Sequence, residues 1–208
     1  MNKNLGLNPW FSVWTKPRTT IRALVAYDVN YQFVVLCVLY GLQYILHLLQ
    51  FGGSANSLGS VLLTAVILAT PIGYIVFNLE TVIFFLIGKL IKGGGRFKQI
   101  RAAICWSNIP IVCNLAIWVI LLLIYGNDLF ITSSYQRLTR IDMVINIIIA
   151  VAQIIFIIWS LILLVHVLSE VQGFSAWMAL LNIILSGIVV FILVLLANWA
   201  ISIIKHVS

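Results

Sequence analysis

"PIGYIVFNLETVIFFLIGKL", residues 71–90, carries a single carboxylate, Glu80, in a run that is otherwise almost wholly apolar. No other charge lies between Phe51 and Glu80, and the next one after it is Lys89. How a glutamate is tolerated there depends on the medium around it. The chain has 208 residues, 63% hydrophobic and only 8% charged, with a mean hydropathy of +1.16. Soluble domains carry roughly a quarter charged residues. One soluble core of this size does not enclose so much apolar surface, so the solvent is lipid.

Five stretches are long enough to cross a hydrocarbon core about 30 Å thick, which takes ~20 helical residues. They cover roughly 31–51, 58–91, 103–125, 144–167 and 176–204. The fold class is therefore all-α, an integral membrane bundle with five transmembrane helices. Residues 1–30 form an amphipathic cytoplasmic segment and residues 31–208 the membrane domain. No cleavable leader is expected, because the first 30 residues lack an apolar run followed by a small-residue cleavage site.

Basic residues set the orientation. Lys3, Lys16, Arg18 and Arg22 precede the first stretch, and Lys89, Lys92, Arg96, Lys98 and Arg101 lie between the second and third. Placing both groups inside leaves Arg137, Arg140 and Lys205 outside, which gives a cytoplasmic N-terminus and an external C-terminus. Splitting the long second stretch at Pro71 makes six spans and moves the Lys89–Arg101 cluster to the wrong side. The net charge of +7 then reflects anionic headgroups and topology, and no nucleic-acid partner is expected. Cys37, Cys105 and Cys113 have no CxxC spacing and read as small apolar side chains.

Asn8 and Pro9 form an N-cap followed by a first helical residue. Trp10, Phe11 and Trp14 then share one side, Pro17 interrupts, and "PRTTIRALVA" resumes the helix. Two short helices lying on the inner leaflet are expected, with Arg18 and Arg22 touching headgroups. Ala65, Ala69 and Gly73, at every fourth position, permit close approach of another helix. Gly93, Gly94 and Gly95 break the helix, and with Lys92 and Arg96 beside them they suggest a nest for a lipid phosphate. A nucleotide loop is excluded, since the Gly-Lys-Ser/Thr ending is missing.

"NPWFSVWTKPRTTIRAL" (8–24), "KGGGRFKQ" (92–99), "WSNIP" (106–110) and "EVQGFSAWMAL" (170–180) together resemble the bacterial branch of the Yip family, the Ypt/Rab-interacting membrane proteins. The resemblance covers nearly the whole chain and implies five spans, a cytoplasmic N-terminus and a bacterial plasma (inner) membrane location. Eukaryotic members associate with prenylated small GTPases through longer N-terminal regions. This chain has about 30 residues there and no acidic "DLYGP" type of motif, so the resemblance does not extend to a small GTPase partner. As far as the resemblance carries, bacterial members have no settled biochemical activity, and from the residues themselves neither a cofactor nor a catalytic activity is expected.

Glu80 lies ~13 Å deep if the inner boundary is near Lys89. An acid at the centre costs ~3 kcal/mol on insertion scales, so it should face the bundle or be neutral. It reads either as a polar contact between helices or as part of a relay. Asn78, Asn108, Asn114 and Asn182 supply amides that either line a cavity with it or bond one another. His166 and Glu170 share a helix face at i,i+4. They have no third ligand for a metal, and a pairing of Glu170 with Lys98 or Arg101 is expected instead. Trp106 and Trp177 at one boundary, with Trp118, Tyr125, Tyr135 and Trp199 at the other, read as interfacial anchors. No serine elbow, HExxH or paired intramembrane aspartates are present, so hydrolysis lacks its parts. The expected role is an accessory one, binding anionic lipids and a membrane-protein partner or a second copy. A small permease using Glu80 and the amides is the alternative.

Overall fold

A computed structural model describes residues 5–52, 57–130 and 139–207. Among these residues every regular element is helical. The tight loop expected at 52–57 and the loop residues around Tyr135 and Arg137 fall largely outside them, as does Lys3.

Helix α1 (Pro9–Thr15) begins where Asn8 Oδ1 accepts the Trp10 N–H at 3.1 Å, with Pro9 in the first turn. It stops at Lys16, because a residue before proline is pushed out of the helical region. Pro17 then opens α2 (Pro17–Tyr27). The two helices do not lie freely along a surface. Val13, Ile21 and Leu24 are fully buried against Ile100, Trp106, Leu163 and Val167. Burying an aliphatic side chain of this size stabilises by about 1.5–3 kcal/mol relative to water, which fixes α1 and α2 to the bundle.

Helix α3 (Phe33–Gly52) and the long α4 (Leu58–Leu90) form the closest pair. A Cβ on Gly41 would run into the carbonyl of Ala69, and one on Gly73 into the carbonyl of Cys37. Ala65 and Ala69 are also buried. The stripe of small residues is thus spent within the chain, as interhelical packing in lipid demands. Pro71 lies inside α4 without ending it.

The third expected span is broken. Helix α5 (Phe97–Ser107) ends at Asn108, and α6 (Ile109–Val112) with α7 (Asn114–Tyr125) continues at 43° to it. Pro110 lacks the N–H that a continuous helix needs there. A 3₁₀ turn, Gly126–Phe130, precedes α8 (Arg140–Gln172), which Thr139 caps by accepting the Asp142 N–H. Gly173 ends α8 in the left-handed conformation (φ 69°), and α9 (Ala176–Val207) follows. Among the described residues, four helices are long and apolar enough to cross a membrane, α3, α4, α8 and α9, and the bent α5–α7 stretch makes a fifth if it counts as one crossing.

The core has two parts. One surrounds Trp106 at the end that carries α1, α2 and the Lys89–Arg101 segment, here the basic end. The other surrounds Trp118 and Phe130 at the far end, where the two rings stack at 6.2 Å. Trp106 and Trp118 are 2% and 1% exposed, so neither is an interfacial anchor as expected, whereas Trp177 and Trp199 are open at 80% and 66%. The far half of α8 touches the far core through Ile149, and Asp142 accepts from the Tyr125 hydroxyl at 3.4 Å, whereas α9 is exposed from Phe191 to Ala200.

Candidate functional site at the basic end

Three polar assemblies meet at the basic end. The first is a clamp built on Arg101. Its Nη1 donates to Asn78 Oδ1 at 3.1 Å on α4, and its Nη2 to Asn30 Oδ1 at 2.7 Å in the α2–α3 link. The guanidinium carbon lies 4.1 Å from the centre of the Phe33 ring. Planar donors and a ring face suit arginine better than lysine. One residue of α5 thereby ties three elements together.

The second assembly is an amide cluster. Asn182 Nδ2 on α9 donates to Gln172 Oε1 on α8 at 2.9 Å and to the Phe84 carbonyl on α4 at 3.2 Å. Asn182 Oδ1 accepts from the Ser186 hydroxyl at 3.1 Å, and Gln172 Nε2 reaches the Phe84 carbonyl at 3.4 Å. Gly88 makes room, since a Cβ there would meet both amide nitrogens. The Gln172 carbonyl in turn accepts the Gly94 N–H at 3.0 Å, and the Gly88 carbonyl accepts the Gly93 N–H at 2.7 Å. Two amides of the expected phosphate nest are therefore already committed. The left-handed residue of this turn is Lys92 (φ 66°), not a glycine. The glycines serve close approach instead: a Cβ on Gly93 would strike the Phe174 ring, and one on Gly95 would crowd Gln172 and Ile100.

The third is the ion pair between Arg22 Nε on α2 and Glu170 Oε1 on α8, at 2.7 Å. Glu170 thus takes its cation from the N-terminal segment. The pairing expected with Lys98 or Arg101 is not made, because Arg101 is turned toward Asn78 and Asn30, and Lys98 is exposed. Direct contact holds Arg22 in its charged form, its proton affinity raised by the hydrogen bond and charge of Glu170.

The remaining expected residues are scattered. Glu80 is half-buried between α3 and α5, within electrostatic range of Tyr40 and Cys105. Among the described residues, no hydrogen bond or ion pair reaches its carboxylate. Asn108 donates back to the Ile104 carbonyl at 2.9 Å within α5's last turn. Asn114, 3% exposed, lies beside the far core and its Oδ1 has no partner among the described residues. Of the four candidate amides, only Asn182 joins an assembly between membrane helices, while Asn78 serves Arg101. His166 is half-buried on α8, and no group of three metal-ligating side chains exists among the described residues. Arg18, Lys92 and Arg96 are exposed.

Sequence reading missed Gln172, Ser186, Asn30 and Gln32. Gln32 takes a left-handed backbone (φ 53°) and accepts the Trp10 indole N–H at 2.6 Å, locking α1 to the start of α3. For Gln172, Asn30 and Gln32 the available signal was position, each a polar residue just outside an apolar run; Ser186 lies within the α9 run, four residues after Asn182 and so on the same helix face.

The family model described as the Yip1 domain matches residues 11–198. Comparison with curated proteins and with solved structures gave no match.

Proposed function

The chain belongs to the Yip family, and from that premise we propose that this multi-pass membrane protein works as a non-enzymatic accessory protein that holds a membrane-protein partner and anionic lipids. In this reading it crosses five times, with the N-terminus cytoplasmic and the C-terminus outside, in a bacterial plasma membrane. Residues 1–30 supply cytoplasmic helices docked under the membrane domain of residues 31–208.

The observation that carries this reading is the far half of α9. From Phe191 to Ala200 every residue is exposed among the described residues. Its root is held firmly by Asn182 and Ser186. A helix anchored at one end and apolar all round at the other is suited to seat against a second transmembrane protein. The decisive experiment isolates the full chain from native membranes through a C-terminal tag and identifies stoichiometric proteins and lipids by mass spectrometry. A membrane partner, or a second copy, that is retained by the wild type and lost in Phe191→Ala/Leu195→Ala supports the proposal. A chain that returns alone overturns it.

The permease reading draws on Glu80, which sits among Tyr40, Cys105 and the helices α3, α4 and α5. Against it, the amides do not converge on Glu80, since Asn78 and Asn182 are engaged elsewhere. A proton or solute flux in proteoliposomes that disappears in Glu80→Gln would reverse the order of the two readings.

A further inference from the structure

Between the α1–α2 elbow and α8 lies a hollow of about 650 Å³. Residues 14–19 form one wall, and Trp159, Ile162, Leu163 and His166 form the other. The α8 residues fall at i, i+3, i+4 and i+7, so they make one stripe along a single helix face, about 10 Å long. The two ends of this stripe differ in chemistry. His166 lies at the basic end, across from Lys16 and Arg18, while Trp159 and Ile162 point along the lipid-facing side, 39% and 40% exposed.

The charge at the upper end is uncompensated. All acidic residues of the chain are among the described ones, and the ion pair formed among the described residues joins Arg22 to Glu170. Lys16 and Arg18 are exposed and carry no carboxylate partner. The His166 ring has no hydrogen bond among the described residues. Two cations and an imidazole therefore converge at the mouth of a groove whose floor is aromatic and aliphatic. A soluble anion would use only the mouth, and a neutral hydrocarbon only the floor.

We propose that this hollow is a specific seat for one anionic glycerophospholipid, with its phosphate held by Lys16, Arg18 and His166 and an acyl chain laid against Trp159 and Ile162. A cationic choline headgroup is repelled by the same residues, so phosphatidylglycerol is preferred over phosphatidylcholine. The seat deepens the lipid-holding part of the proposed function. It also makes occupancy depend on the elbow at Pro17, which brings the cations to α8.

The test uses the full chain purified in detergent and native mass spectrometry, with added dioleoylphosphatidylglycerol, dioleoylphosphatidylcholine or glycerol 3-phosphate. The wild type is expected to retain one phosphatidylglycerol and neither of the other two. Lys16→Gln/Arg18→Gln should weaken retention roughly 30-fold, the effect of removing two headgroup-facing cations. Lys98→Gln, which removes an exposed cation of the basic end outside the hollow, should leave retention unchanged. Ile162→Trp, which fills the floor without altering charge, should also abolish retention and guards against a misfolded double variant. Equal loss in Lys98→Gln would reveal general charge attraction and overturn the seat. So would equal retention of phosphatidylcholine, binding of glycerol 3-phosphate alone, or unaltered retention by either hollow variant. A membrane partner that co-purifies without a retained phospholipid overturns the seat and leaves the accessory role standing. A retained phospholipid on a solitary chain does the reverse.

Discussion

At Gly41 and Gly73 an added methyl group would meet a backbone carbonyl of the facing helix, and no side-chain rotation relieves such a clash. Gly41→Ala and Gly73→Ala should each destabilise by about 1–3 kcal/mol, read as a lower midpoint of thermal unfolding in detergent. Gly59 and Gly187, also helical, have nothing within 4 Å of a built Cβ. Alanine there should be neutral or slightly stabilising, so a uniform loss at all four sites would refute the close-approach account. The pair Arg22–Glu170 behaves differently, because both groups are near water and exchange one solvation for another. Glu170→Arg alone should lower the midpoint by placing two cations together, and Arg22→Glu/Glu170→Arg should recover it. Recovery by a swap with Lys98 or Arg101 instead would contradict the observed geometry.

Among the elements, α9 is tied at its root to α8 and α4 by one buried amide. Asn182 is fully buried and uses its amide nitrogen twice, on Gln172 and on the Phe84 carbonyl. Asn182→Ala should cost about 1–2 kcal/mol, by leaving Gln172 short of a donor. A double-mutant cycle with Gln172→Ala should show coupling, and strict additivity would argue that the two amides act apart. Much of this level was legible beforehand. Asn8–Pro9 and Pro17 announced the two N-terminal helices, and the long apolar runs gave α3, α4 and α9 closely, but they stopped about a turn short of α8 (Arg140–Gln172) at each end. The break at Asn108 was not, because a proline near a helix start and one inside a continuous span look alike in sequence. Which face each helix buries was also hidden. Lipid and protein interior are equally apolar, so Trp106 and Trp177 carry the same local signature although one is core and the other is open.

For the whole molecule, the five-crossing topology predicts that a periplasmic reporter fused after Ser208 is active and one fused within the Lys89–Arg101 segment is not. A silent C-terminal fusion would mean that α5–α7 does not cross. The candidate site was legible only in part. The chain displayed its cations and its intramembrane acid openly, but their partners come from residues far apart in sequence, as Arg22 and Glu170 or Arg101 and Asn30 do. Spacing rules report neighbours within one helix, and these contacts lie between helices.

The break at Asn108 has a mechanical consequence. In the five-crossing arrangement, the third crossing is the bent α5–α7 stretch, whose part beyond the bend, Ile109 to Tyr125, is roughly 25 Å long, while the 33-residue α4 and α8 each extend about 50 Å unbroken. A bilayer that matches the short passage is too thin for the long helices, and one that suits them leaves the short passage stretched. In that arrangement the protein would impose a thickness gradient on the lipid around its own circumference. Membranes that are already thin or bent meet that demand at the least elastic cost, and the chain should gather in them.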